Sequence, residues 1–170
     1  MAGEHPLRAL EAWIEEARAE GLAQPASVAF VTVSPDGQPS ARTVNLKRFE
    51  PEALLFHWPS LGRQVHVAGE AELADRALAA ELFEERDPLH RFQTVVSRQG
   101  EPIESLEPLR DRLAHLAQVQ ESPPACPEDW GALRVRPRIV ELWEEAPDRL
   151  HERRLFERDG EGWSLTLLSP

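Results

Sequence analysis

The chain has 170 residues, one domain's worth at the usual ~100–200 residues per domain. Its 30 acidic residues outnumber 19 basic ones and leave a net charge of −11, which argues against a nucleic-acid partner, because phosphate contacts need a basic surface. Hydrophobic residues make up 41%, enough for a packed core, while the single cysteine, Cys126, excludes an intrachain disulfide and a Cys-based zinc site.

No apolar run approaches the ~20 residues of a membrane span, and Met1–Leu10 lacks the basic-then-apolar order of a secretory leader. The expected setting is cytoplasmic, with no membrane partner. Pro6 to Gly21 reads as a helix. Leu7, Leu10, Ile14 and Ala17 recur at helical spacing, Pro6 suits a first turn, and Gly21 suits a stop. Ser27–Ser34 is β-branched and apolar and predicts a strand. Ser34-Pro35-Asp36-Gly37 predicts a turn, after which Ser40–Phe49 returns as the second strand of a hairpin. Ala53–Trp58 predicts a third strand, and Pro59–Gly62 turns the chain again. In the fourth strand, Arg63–Leu73, the small or apolar Val65, Val67, Gly69, Ala71 and Leu73 alternate with the polar Gln64, His66, Glu70 and Glu72, Ala68 being the exception.

Helical spacing follows. Asp75–Glu85 carries Leu78, Leu82 and Phe83 on one side, Leu89–Arg98 fits either period, and Leu106–Gln120 has a stripe of Leu106, Leu109, Leu113, Leu116 and Val119. The Pro-rich segment Ser122–Asp129 predicts a loop. Three strands then close the chain: Leu133 to Trp143, Arg149–Glu157 and Trp163–Leu168, the last two joined at Asp159–Gly162. No repeat or interdomain linker divides the sequence, so residues 1–170 are expected to form a single domain. Sequential hairpins without βαβ alternation predict a mainly β, α+β architecture: an antiparallel barrel or sheet with helices outside.

No metal-binding spacing, P-loop, GxGxxG or GxSxG is present. Two segments concentrate chemistry instead. Arg42-Thr43-Val44-Asn45-Leu46-Lys47 holds two cations on a predicted core strand, where burial costs several kcal/mol without an anion. Either the charges line a solvated edge or they face a bound anion such as phosphate. Lys47 is also the chain's only lysine, against 18 arginines. Arg42 and Lys47 differ in parity, so serving one ligand requires a bulge or a lysine that wraps round the strand's end. The second segment is Asp148-Arg149-Leu150-His151-Glu152-Arg153, preceded by Trp143. On a strand, Arg149, His151 and Arg153 share a face, which suits either surface pairing with Glu144, Glu145 and Glu152 or an enclosed anionic or aromatic group.

Together these segments resemble the pyridoxamine 5'-phosphate oxidase family, FMN-dependent enzymes that form pyridoxal 5'-phosphate. RTVNLK (Arg42–Lys47) is similar to the family's R-x-V-L-L-K, and LGRQVHVAGEAEL (Leu61–Leu73) to its L-x-R-Q-V-x-V-x-G-x-A-E-x-L. VVSRQG (Val95–Gly100) resembles W-x-S-x-Q-S, the stretch Asp129–Arg153 resembles W-G-x-x-R-x-x-P-x-x-x-E-F-W…R-L-H-D-R, and the closing LLSP resembles L-x-P. The resemblance implies an antiparallel split β-barrel of FMN-binding type and a homodimer with FMN at the interface, 129–170 forming the dimerisation region. It implies Arg42, Thr43, Val44, Lys47, Gln64, Gln99, Trp143 and Arg153 as FMN contacts. A phosphorylated small-molecule substrate would meet Lys47 and Arg86, with Arg149 and His151 over its pyridine ring as catalytic residues. The implied reaction moves hydride from substrate C4' to flavin N5, and oxygen then yields hydrogen peroxide.

The sequence also departs from that pattern. Where the family has Y-T-N, a helix opening S-R-K and a further strand, Ala53–Trp58 runs directly into Pro59-Ser60-Leu61-Gly62. About 20 residues, a helix and a strand at typical lengths, are absent, so the barrel is expected to be shortened. The missing S-R-K carries two phosphate-gripping cations in the family. Leu82 stands in place of a phosphate-binding Tyr, His90 of a Ser, and Gly100 of the Ser after the glutamine. The alternative reading is a diverged split barrel that binds FMN or another phosphorylated ligand without oxidase activity.

Overall fold

A computed structural model describes residues 5–47 and 56–170. The chain divides into two compact units, Met1–Glu72 with Arg134–Pro170, and Leu73–Leu133. The elements run α1 (Pro6–Ala19), β1 (Ser27–Val33), β2 (Pro39–Asn45), β3 (Phe56–Trp58), a 3-10 turn (Pro59–Leu61), β4 (Arg63–Leu73), α2 (Arg76–Glu84), α3 (Pro88–Val96), α4 (Glu107–Val119), β5 (Leu133–Glu144), β6 (Glu152–Asp159) and β7 (Gly162–Leu167).

The first unit is built on α1. Its stripe of Leu7, Leu10, Trp13, Ile14 and Ala17 is buried against Val28, Trp58, Val65, Val140, Leu142 and Phe156 from five strands. The Trp13 and Trp58 rings meet edge to face with centroids 6.5 Å apart. Trp58 Nε1 donates to the Pro25 carbonyl at 2.9 Å, so the buried indole keeps its polar partner. The strands form two sheets: the hairpin β1-β2, and a five-stranded sheet ordered β3-β4-β5-β6-β7. Pairing is antiparallel in β1/β2, β3/β4, β5/β6 and β6/β7, and the larger sheet is open rather than closed on itself. At the β1-β2 turn, Gly37 N–H donates to Ser34 O at 2.8 Å.

The predicted alternation of β4 is present where the strand meets the core: Val65 is buried while Gln64 and His66 are exposed. Gly69 answers to a closer constraint. A Cβ at this position would lie 1.9 Å from the Arg136 carbonyl oxygen on β5, a distance no side chain tolerates. Gly69→Ala is therefore expected to lower stability by about 1–3 kcal/mol, as overpacking does, read as a lowered urea midpoint with an unchanged m-value.

In the second unit, Asp75 caps α2 by accepting from Leu78 N–H at 2.9 Å. The segment of two-sided periodicity, Leu89–Arg98, is helical as far as Val96, and Ser97 leaves the helix in an extended conformation. Asp87 accepts from Leu89 N–H at 2.8 Å, and Pro88 occupies the first turn, where its missing N–H costs nothing. The α4 stripe is narrower than predicted. Leu109, Leu113 and Leu116 are half-buried, but Leu106 and Val119 are exposed.

Two strand boundaries need correction. The second strand stops at Asn45 rather than Phe49, and residues 48–49, like 53–55 of the predicted third strand, lie outside the described residues. The sixth strand begins at Glu152 rather than Arg149. Arg149 has φ +68°, in the left-handed region, and its N–H closes a turn onto Ala146 O at 3.1 Å. A residue in that conformation cannot continue a β ladder. Arg149, Leu150 and His151 thus belong to a corner loop, and the predicted shared strand face of Arg149, His151 and Arg153 does not exist.

Candidate functional site

The corner between β5 and β6 gathers four of the predicted residues. Trp143 pairs with Arg153 across the ladder. Period-two alternation places both on the face opposite Val140 and Leu142, which are fully buried in the core. Arg153 Nε donates to Glu141 Oε1 at 2.7 Å, and Nη1 donates to the Ser169 carbonyl at 3.3 Å. The Glu141 carboxylate, by hydrogen bonding and then by charge, holds the Arg153 guanidinium above its ordinary pKa. Arg153 is thereby oriented as a permanent cation beside the Trp143 ring.

The loop completes the corner. His151 lies with its ring centroid 4.8 Å from that of Trp143, tilted 46°. Its Nδ1 accepts the Ala146 N–H at 3.2 Å, so the neutral ring carries its hydrogen on Nε2 and presents a donor there. Asp148 Oδ1 accepts from Leu150 N–H at 3.0 Å, an Asx turn that sets the backbone on either side of Arg149. The Arg149 side chain is exposed and makes no ion pair among the described residues. A tilted aromatic pair with an oriented cation across the ladder, and an exposed arginine on the same loop, suits a flat ligand with anionic character.

The second cluster lies on the β1-β2 hairpin. Arg42 sits opposite Phe30 in the register, its guanidinium 6.0 Å from that ring, and shares a strand face with Val44, which packs on the core. Thr43 is exposed on the other face. Because β2 ends at Asn45, Lys47 escapes the parity restriction that an unbroken strand imposes. Leu46 N–H donates to Ala26 O at 2.9 Å and holds the chain just before Lys47. Arg42 and Lys47 are both exposed, and neither makes an ion pair among the described residues. Gln64 is exposed on β4, directly opposite His57.

The remaining two predicted residues belong to the second unit. Gln99 is exposed beyond α3. Arg86 is half-buried, with its guanidinium 5.6 Å from both the Phe83 and Trp130 rings and its Nη1 donating to Thr94 Oγ1 at 2.8 Å. Sequence reasoning missed Glu141, the Ala146 amide and Asp148, which orient Arg153, His151 and Arg149. Only Asp148 carried a legible signal, since an Asp two residues before Leu150 favours an Asx turn.

Residues 130–170 match the family model described as the pyridoxine 5'-phosphate oxidase C-terminal dimerisation region. The chain is 38% identical to the pyridoxine/pyridoxamine 5'-phosphate oxidase of Rubrobacter xylanophilus, covering 97% of this chain and 87% of that protein. It is 35% identical to the corresponding oxidase of Novosphingobium aromaticivorans, covering 97% and 93%. The first of these alignments runs over 188 positions against a chain of 170 residues, so at least 18 positions face a gap here. That agrees with a shortened chain. Among solved structures, PhzG from Burkholderia lata, crystallised with tetrahydrophenazine-1-carboxylic acid, superposes with a TM-score of 0.89 at 24% identity, covering 99% of this chain and 94% of that one. A pyridoxamine 5'-phosphate oxidase-related, FMN-binding protein from Nostoc punctiforme gives 0.77 at 17% identity over the whole of both chains. These likenesses establish the antiparallel split-barrel fold, here with an open sheet.

Proposed function

This chain belongs to the pyridoxine/pyridoxamine 5'-phosphate oxidase family, and from that membership we propose that it is an FMN-dependent oxidase converting pyridoxamine or pyridoxine 5'-phosphate to pyridoxal 5'-phosphate. The observation that carries the reading is the β5-β6 corner, where the Trp143 and His151 rings meet, Arg153 stands opposite Trp143 in the ladder and Arg149 lies on the loop that carries His151.

The residues present fit FMN. Its phosphate needs unneutralised cations, and Arg42 and Lys47 are exposed without carboxylate partners among the described residues. Its ring system needs a flat polar surround, which Trp143, Arg153 and Gln64 are suited to supply. When bound, FMN provides a two-electron acceptor that oxygen reoxidises with release of hydrogen peroxide. The protein's own work is binding and orientation. Arg42, Thr43, Val44, Lys47, Gln64, Gln99, Trp143 and Arg153 hold the cofactor. Lys47 and Arg86 receive the substrate's phosphate. Arg149 covers the substrate ring, while His151 offers Nε2–H as a hydrogen-bond donor. The fold acts as one FMN-binding domain in a homodimer with the cofactor at the interface. Support comes from the dimerisation-region match and from exposed apolar residues on β1 (Val31, Val33) and β7 (Leu165, Leu167). A cytoplasmic setting belongs to the same proposal. Among the described residues no helix is long and apolar enough to cross a membrane.

A second reading, FMN or phosphoester binding without oxidase turnover, is favoured by the positions missing relative to the curated oxidases. One assay separates the two. The purified protein is titrated with FMN, following flavin fluorescence, and then supplied with pyridoxamine 5'-phosphate under air. Quenching followed by equimolar peroxide and pyridoxal 5'-phosphate is expected. Quenching without peroxide favours the second reading, and no quenching at high micromolar FMN overturns the oxidase reading and restricts the second to a phosphorylated ligand other than FMN.

A further inference from the structure

Behind the corner, on the core side of the sheet, an alternating chain of charges lies across a buried indole. Arg63, at the start of β4, donates from Nη1 to Glu16 on α1 at 2.5 Å and from Nε to Glu144 at 3.3 Å. Arg154 on β6 donates from Nη2 to the other oxygen of Glu144 at 2.6 Å, and its Nε lies 2.9 Å from Glu152. Both guanidinium groups sit over Trp13, at 4.8 and 5.9 Å from its ring. Their side chains are only 19% and 15% exposed, so water screens these pairs less than it would at the surface. Glu144 is therefore gripped from both sides by planar cations that are themselves stacked on a core residue.

Glu144 is the last residue of β5. The next N–H, that of Glu145, donates to Gly62 O at 2.7 Å. Gly62 has φ +59°, and a Cβ there would stand 2.9 Å from Glu145 Cβ. The turn before β4 thus presses on the first residue of the corner loop. Ala146, whose N–H holds His151 Nδ1 and whose carbonyl holds the Arg149 N–H, follows directly. One continuous set of contacts runs from Glu16 on α1, through Arg63, Glu144 and Arg154, to the backbone that aims Arg149 and His151.

We propose that Arg63 and Arg154 are positioning residues: by gripping Glu144 from the core side, they fix the loop that carries Arg149 and His151. The proposal rests on the corner being the reactive part of the site. Arginine is required because each guanidinium lies over Trp13 while its fork spans two carboxylates, those of Glu16 and Glu144 for Arg63 and those of Glu144 and Glu152 for Arg154, a reach that a compact ammonium does not match. Neither side chain shares the corner's outer face, so their effect on turnover is transmitted through Glu144 and the loop backbone.

Amide hydrogen exchange in the flavin-free protein tests the linkage without relying on activity. Arg154→Met and Arg63→Met keep the apolar stem over Trp13, and Glu144→Gln keeps the shape of the carboxylate. In each, the Glu145, Ala146 and Arg149 amides are expected to exchange about tenfold faster, while those of Val140 and Phe156 hold their protection. Arg63→Lys falls between Arg63→Met and the unaltered protein. With FMN and pyridoxamine 5'-phosphate, the same variants lose kcat more than FMN affinity. Unchanged exchange at Glu145 and Ala146 in these variants overturns the proposal. So does faster exchange spread evenly through the sheet, which marks a merely structural role. Should Arg154→Met fail to fold, Glu144→Gln decides by the same criterion. No turnover in the unaltered protein overturns the oxidase reading alone, because the exchange pattern still decides whether the loop is held in this way.

Discussion

Replacing Arg149 and His151 together by alanine is expected to lower turnover of pyridoxamine 5'-phosphate by about 10³-fold, while FMN affinity changes by less than about threefold. The expectation follows from where each side chain is held. His151 is fixed by the Ala146 amide at Nδ1, leaving Nε2–H as the only group of its ring free to reach a ligand. Arg149 is exposed and lacks a carboxylate partner among the described residues, so its loss leaves no buried group stranded. A single variant sharpens the test. Arg149 already occupies the left-handed region at φ +68°, a conformation that costs an L-residue about 1–2 kcal/mol. Arg149→Gly relieves that cost while deleting the side chain. A protein that is no less stable yet turns over slowly assigns the loss to the guanidinium. Steady-state peroxide production beside a thermal melt supplies both readings, and turnover kept in the double variant would remove the corner from catalysis.

What the sequence made legible, and what it hid, divides along the same lines. Period-two and period-3.6 patterns found β1, β4, β7, α1 and α2 within two residues; β1, β4, α1 and α2 each bury one face against a core that selects apolar side chains, whereas β7 half-buries Trp163 and leaves Leu165 and Leu167 exposed. The Gly69 position in the small-residue register of β4 was visible, although its cause, the Arg136 carbonyl 1.9 Å from any Cβ, was not. Leu89–Arg98 escaped because its short apolar run suits either period, and the cap at Asp87 decides it. The corner at Arg149–His151 was misread as strand for a physical reason. The alternation of Arg149, His151 and Arg153 imitates a strand, while the positive φ at Arg149 comes from the turn onto Ala146, and no pattern in the arginine itself announces that turn. The residue types at the site were legible as an excess of cations in an acidic chain. Their orientation was not, since it is set by Glu141, Glu144 and the Ala146 amide, groups separated in sequence from the side chains they hold.

Removing both exposed cations of the hairpin, by Arg42→Ala with Lys47→Ala, is expected to weaken FMN by about 10²–10⁴-fold while riboflavin, which lacks the phosphate, loses far less. A hydrogen bond to a charged group contributes about 1.5–3 kcal/mol, so each residue accounts for roughly one to two powers of ten in affinity. The competing cost is small. The Arg42 guanidinium over Phe30 is an exposed cation–π contact of about 0.5–1 kcal/mol, and it acts on the hairpin rather than on the ligand. The chain's charge of −11 makes the local cations matter more, because a phosphate dianion approaches an acidic protein and is held only where positive charge is concentrated. Salt separates the contributions further. The fall of FMN affinity with ionic strength should be steep in the unaltered protein and shallow in the double variant. Flavin fluorescence titrations at two salt concentrations, run with both flavins, measure all four quantities. Equal losses for FMN and riboflavin would place Arg42 and Lys47 away from the phosphate and leave the anion to other cations.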